Sequence, residues 1–144
     1  MQELERHLGI DVGERRIGVA VSDPLGITAQ PLEVVHRDAN GSEWKRLPVI
    51  IKQYQPVRAI IGLPINMNGT EGEQAQAARL FAKTFSRKFP RVEVIFQDER
   101  LTTVASERLL IEAGVRRVKR KNKRDIIAAT LILQMYLNTH RCGN

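Results

Sequence analysis

Apolar residues occur along this chain in two rhythms. Residues 7–12 and 16–22 are short apolar runs separated by Gly13-Glu14-Arg15. In the second run Ile17, Val19 and Val21 alternate with smaller residues, the period of a half-buried strand. The glycine-bearing connection between the runs predicts a hairpin. Residues 27–35 predict a third strand, introduced by the turn residues Pro24 and Gly26. The rhythm then becomes helical. Trp44, Leu47, Ile51 and Tyr54 mark a helix over residues 43–54, with Ser42 as its N-cap and Pro48 in its first turns. Ala59-Ile60-Ile61-Gly62-Leu63 is continuously apolar, as in a strand buried on both faces. After a turn-rich stretch over 64–72, Ala78, Phe81, Ala82, Phe85 and Phe89 trace the apolar stripe of a helix over 73–89. A strand over 92–96, a helix over 103–113 closed by Gly114, and a strongly apolar helix over 125–140 complete the pattern.

Three strands followed by alternating helices and strands predict an antiparallel meander feeding βαβ crossovers. The expected architecture is α/β: a five-stranded mixed sheet with helices on its faces. The length of 144 residues suits one domain spanning 1–144. The longest near-apolar stretch, residues 126–137, is interrupted by Thr130 and Gln134 and falls short of the ~20 residues a bilayer requires. The first seven residues are polar, unlike a signal peptide. One cysteine, Cys142, cannot form an internal disulfide, so a reducing, cytoplasmic setting is expected. His7, His36 and His140 accompany no cysteine pair, which excludes a zinc-finger reading.

Charge changes the picture. The chain carries 23 Lys and Arg against 16 Asp and Glu, a net +7. Residues 115–124 hold seven basic residues and no acid: Arg116, Arg117, Lys119, Arg120, Lys121, Lys123 and Arg124. Without them the balance is 16 against 16, so the whole excess sits in ten residues. A concentrated positive patch beside a neutral body is the footprint of a polyanion binder, although charge runs also occur as solvated surface.

Against that patch stand acids in unusual places. Asp11, in Gly9-Ile10-Asp11-Val12-Gly13, lies within an apolar strand, where a carboxylate is costly to bury without a partner. An aspartate there also serves as a hairpin cap. Asp98 and Glu99 follow the strand over 92–96, at the carboxyl edge where α/β sheets place ligands. Successive strand residues face opposite ways, so only one of the two meets Asp11. Asp125 stands between the basic run and the apolar last helix, where a plain N-cap role is equally open to it. Acids from three separate elements at one sheet edge suit a divalent cation, Mg²⁺ or Mn²⁺, bound as one ion or two. In the loop over 62–73, Thr70 and Glu73 have capping-box spacing, while Asn66, Asn68, Gly69 and Thr70 are candidates to hold a phosphate near the site. No Gly-Lys-Ser/Thr follows, so this is not a Walker A loop.

Four stretches together resemble the YqgF/RuvX family of RNase H-like nucleases: Gly9-Ile-Asp-Val-Gly-Glu-Arg-Arg-Ile-Gly-Val-Ala-Val-Ser-Asp23, Gly62-Leu-Pro-Ile-Asn-Met-Asn-Gly-Thr70, Asp98-Glu-Arg-Leu-Thr-Thr103, and Asp125 opening an Ile/Ala-rich helix. The resemblance spans nearly the whole chain. It implies a ribonuclease H-like fold with its first three strands antiparallel, an acidic site like that of the Holliday junction resolvase RuvC, and a role in maturing the 5′ end of pre-16S rRNA. Asp11 matches the first-strand aspartate of the family and Asp125 its last-helix aspartate. Glu99 matches the fourth-strand glutamate better than Asp98, which stays as an additional candidate acid. RuvC-like enzymes show a second acid one turn along the last helix, where this chain has Ala128 and Ala129.

The resulting expectation is a metal-dependent phosphodiesterase acting on structured RNA, pre-16S rRNA above all. Asp11, Glu99 and Asp125 hold the cation, water is the nucleophile, and the basic run with Lys83 and Arg87 grips phosphates. A resolvase acting as a dimer on branched DNA and a non-catalytic RNA-binding module are the rivals; monomer and homodimer both stay open. An actin-like ATPase would need two domains closing over the nucleotide, for which the chain is too short.

Overall fold

Residues 5–99, 111–113 and 120–140 are described in the computed structural model of this chain. The two opening runs form β1 (His7–Val12) and β2 (Arg16–Ser22), joined at the turn where the Gly13 N–H donates to the Arg16 carbonyl at 2.9 Å. β3 (Ala29–His36) follows, starting two residues later than the apolar run suggested. Asp23 accounts for the delay: its Oδ1 accepts the N–H groups of Ile27 and Thr28, tying both residues into the turn.

Helix α1 (Glu43–Tyr54), strand β4 (Arg58–Leu63), helix α2 (Glu73–Lys88), strand β5 (Glu93–Asp98) and helix α3 (Arg120–Thr139) complete the described elements. The strands form one sheet in the order β3-β2-β1-β4-β5. β1, β2 and β3 pair antiparallel, while β4 pairs parallel to β1 and β5 parallel to β4. The expected mixed five-stranded sheet is therefore present.

Alternation along β1 divides the core. Leu8 and Ile10 enter the larger apolar cluster, with Leu47 and Ile50 of α1 and Ala78, Phe81 and Phe85 of α2. Trp44 stacks on Phe81 there, centroids 5.1 Å apart. The opposite face of the sheet carries α3, whose Ala129, Ile132, Leu133 and Leu137 pack with Ala20 and Ile60. Helices thus cover both faces, and none among the described residues is long and apolar enough to cross a membrane.

The structure departs from the local sequence pattern at three further places. Ser42 occupies the N-cap position of α1, but its hydroxyl makes no cap bond and donates to Asp38 instead. The Thr70–Glu73 capping box does not form. Gly72 is the N-cap of α2, and the Thr70 hydroxyl is already engaged by Asn68 and Asn66. The last helix is already formed at Arg120, so the end of the basic run is helical and Asp125 sits inside the helix instead of capping it. Lys and Arg are good helix formers, and a local count of apolar positions does not register them as helix. The predicted helix over 103–113 lies outside the described residues except for 111–113, which are helical.

Candidate active site

Asp11 is the next-to-last residue of β1 and shares a sheet face with Gly9, the face turned toward α3. Its register partner on β2 is Gly18. A Cβ at Gly18 would collide with the Asp125 carbonyl oxygen, so the missing side chain lets the start of α3 settle on the sheet beside Asp11. Gly62 of β4 performs the same service one strand further on. A Cβ there would meet Glu99 Oε1 and Ile132 Cδ1, which puts the Glu99 carboxyl over β4 on the α3 side.

Asp11, Glu99 and Asp125 consequently line one open cavity of about 1260 Å³. β1, the residue following β5, and α3 each supply one acid, at the edge formed by the carboxyl ends of the parallel strands. Asp98 ends β5 and does not line this cavity. Val94 and Phe96 of the same strand pack toward the α1/α2 core and Ile95 toward α3, so alternation gives Asp98 the α2 face and leaves the α3 side to Glu99.

Burial and neighbouring charge raise two of these acids. Burial, reinforced by the charge of Asp125, pushes the Asp11 carboxyl up to about 6, with Arg124 acting in the opposite sense. Burial, then Asp11 and then Asp98, push Glu99 up to about 7. Two carboxyls disfavoured as anions in the same hollow mark a place short of positive charge. Among the described residues no three His, Cys, Asp or Glu side chains are grouped as a ready cage for an ion. Asp125 is already engaged: its Oδ2 accepts a hydrogen bond from Arg16 Nε at 2.9 Å. The donor set fits a hard divalent cation all the same, since it is made of carboxylate oxygens whose ionisation such a cation would favour.

The basic residues divide. Arg124 lines the cavity, one position from Asp125. Lys123 and Arg124 belong to the helical start of α3, as do the backbones of Arg120 and Lys121, while Arg116, Arg117 and Lys119 lie outside the described residues. Lys83 and Arg87 are exposed on α2. Lys83 is ten residues beyond Glu73, which lines the cavity, and so about 15 Å further along the helix axis. It borders a separate shallow groove with Arg79 and Phe96. Asn66, Asn68, Gly69 and Thr70 do not line the cavity either. The Thr70 hydroxyl donates to Asn68 Oδ1 at 2.6 Å and accepts from Asn66 Nδ2 at 3.0 Å, while Gly69 turns the loop at φ +87°.

Other cavity residues were not anticipated. Arg16 was legible in principle, because the alternation that sets Gly18 opposite Asp11 sets Arg16 on the same face. Arg37 and Glu43 had no such signal. Arg37 Nε donates to Glu43 Oε2 at 2.9 Å and its Nη1 to the Gly13 carbonyl at 2.9 Å, pinning the β1–β2 turn to α1. Glu43 is only 4% exposed, and its Oε1 is buried without a hydrogen-bond partner in the described structure.

The chain is similar to known proteins in sequence and in fold. The RuvX family, described as Holliday junction resolvase, matches residues 5–139. A protein of Lactococcus lactis subsp. cremoris (strain MG1363) named "Putative pre-16S rRNA nuclease" is 50% identical over 137 residues, covering 94% of this chain and 95% of that one. Among solved structures, RuvC of T. thermophilus in complex with Holliday junction substrate superposes with a TM-score of 0.59 at 17% identity, over 95% of this chain and 97% of that one. Fowlpox virus resolvase with Holliday junction DNA gives 0.55 at 12% identity, over 93% and 97%. At such identities the structural likeness speaks for the fold, which is RNase H-like.

Proposed function

Since this chain belongs to the RuvX family, we propose that it is a divalent-metal-dependent nuclease that hydrolyses phosphodiester bonds in structured RNA and processes the 5′ end of pre-16S rRNA. The observation that carries the reading is the convergence of Asp11, Glu99 and Asp125, from three separate elements, on one cavity at the carboxyl edge of the sheet. These three residues hold the cation, Mg²⁺ or Mn²⁺. When bound, the cation supplies the Lewis acidity that polarises the phosphodiester and activates water.

The chain's own groups do the rest. Asp11 on β1 and Asp125 on α3 line the same cavity and would hold the cation between the sheet and the helix. Glu99, held over Gly62, closes the third side. Ala128 lines the cavity where RuvC-like sites carry a further acid, which leaves this site with fewer ligands. Arg124 and the rest of the basic run through Lys123, Lys121, Arg120, Lys119, Arg117 and Arg116 draw in the phosphate backbone that the acids alone repel. Lys83 and Arg87 serve phosphates further along the strand. Asp98 adds its charge to those that raise Glu99.

The test is cleavage of a pre-16S rRNA fragment and of a four-way DNA junction, each with Mg²⁺, with Mn²⁺ and with EDTA, by wild type and Asp11→Asn. The expected result is metal-dependent cutting of the RNA that falls by at least a hundredfold in the variant. Equal cutting by both proteins overturns the mechanism. Preferred cutting of the junction transfers the chain to the resolvase reading, and RNA binding without cutting at any metal makes it a binding module.

A further inference from the structure

Asp125 lines one cavity with Asp11 and Glu99, and its Oδ2 accepts a hydrogen bond from the guanidinium of Arg16, which lines the same cavity. We infer that Arg16 is a built-in counter-ion, a guanidinium that neutralises Asp125 while no divalent cation is present and yields that carboxylate when one binds. The inference rests on the metal-site reading above and extends it to a residue that reading does not use.

Geometry places the guanidinium for such an exchange. Arg16 opens β2 two residues before Gly18, so it stands on the face where Asp11 and α3 meet. The Asp125 side chain is 17% exposed and that of Arg16 38% exposed. The acid is thus fixed within the wall while its partner reaches in from the rim and can swing back to water. The pair is not required to seat α3, which is held by Ala129, Ile132 and Leu133 against Ala20 and Ile60. An ion pair this open adds little to stability. Its value lies in supplying positive charge where burial and crowding make carboxylates expensive. Once displaced, the guanidinium stays at the mouth of the cavity, suited to a phosphate oxygen of the incoming strand.

A counter-ion and an ordinary orienting partner differ in the sign of one measurement. Removing a residue that merely orients a metal ligand weakens metal binding by about 10- to 100-fold. Removing a competitor for the same carboxylate tightens it. Mn²⁺ affinity is read by calorimetry at pH 8 for wild type, Asp11→Asn, Arg16→Gln and Arg15→Gln. Arg15 lines the same cavity but has no bond to Asp125 among the described residues. Arg16→Gln is expected to bind Mn²⁺ about tenfold more tightly than wild type, the scale of a modest site-to-site coupling, and Arg15→Gln to stay close to wild type. Unchanged or weaker binding in Arg16→Gln overturns the counter-ion role, as does equal tightening in Arg15→Gln. Wild type that binds no Mn²⁺ overturns the metal site itself and this role with it, whereas loss of binding only in Asp11→Asn upholds the site independently of Arg16.

A second measurement needs no variant. Saturating Mn²⁺ is expected to speed modification of Arg16 by phenylglyoxal in the wild-type chain several-fold, located by peptide mass spectrometry. An unchanged or slower rate at Arg16 in protein that binds Mn²⁺ sinks the exchange.

Discussion

At the scale of single residues the site is a set of charges held against their preference. Asp11 is held in the fold with its carboxyl raised to about 6 from an ordinary value of 3.8. At pH 8 the folded chain must carry it as an anion in a buried place, while the unfolded chain carries it freely in water. Replacing it with the uncharged isostere removes that cost. Asp11→Asn is therefore expected to be more stable than wild type at pH 8 without metal, by about 3 kcal/mol, and no more stable at pH 3.5, as measured by urea unfolding at both values. A residue that loses activity and gains stability together is the signature of a site strained for function. The alternation rule found Asp11 and narrowed Asp98 and Glu99 to one, but the choice between them depended on where β5 ends. It runs through Asp98, beyond the apolar residues that announced it, because parallel pairing with β4 continues to the Leu63–Asp98 register pair.

Elements bring these residues within reach of one another, and glycines govern how closely. Gly18 sits where α3 approaches β2, and a Cβ there meets the backbone oxygen of Asp125, which cannot move without its helix. Gly18→Ala is accordingly expected to lift the start of α3 from the sheet and cost about 2–3 kcal/mol, seen in thermal melting. It should also bring the Asp11 titration, followed by carboxyl NMR, down toward the ordinary range as water enters and Asp125 recedes. The periodicity of α1 and α2 was fully legible, since their apolar stripes face one large core. The start of α3 was not. Its first turns carry Lys and Arg, whose helical state is disclosed by the backbone they follow and not by any stripe.

For the whole molecule the two raised carboxyls set the response to pH. Between about pH 4 and pH 7 the folded chain holds protons on Asp11 and Glu99 that the unfolded chain has released. Stability of the metal-free protein therefore falls as pH rises through that window and levels off above it. Cation binding favours the ionised forms, so millimolar Mn²⁺ is expected to raise Tm by about 5–10 °C at pH 8 and by almost nothing at pH 5, measured by differential scanning fluorimetry. The net +7 charge makes a further prediction. RNA affinity should fall steeply with salt, and Lys123→Gln with Arg124→Gln should together reduce the slope of log K against log salt by about 1.5, measured by filter binding in EDTA.

What the amino-acid order alone determined is whatever repeats locally: the strand and helix periods, the mixed sheet they imply, the confinement of surplus charge to ten residues, and the few acids set where acids are costly. Those signals are carried by near neighbours, so a one-dimensional reading retains them. What only the tertiary structure decided is which charges meet. The seating of α3 over Gly18, the Arg16–Asp125 pair across 109 positions, and the half-buried Arg37 that joins Glu43 to the Gly13 carbonyl depend on register and on the packing of separate layers. Such contacts have no period along the chain and arise only where the sheet closes the distance.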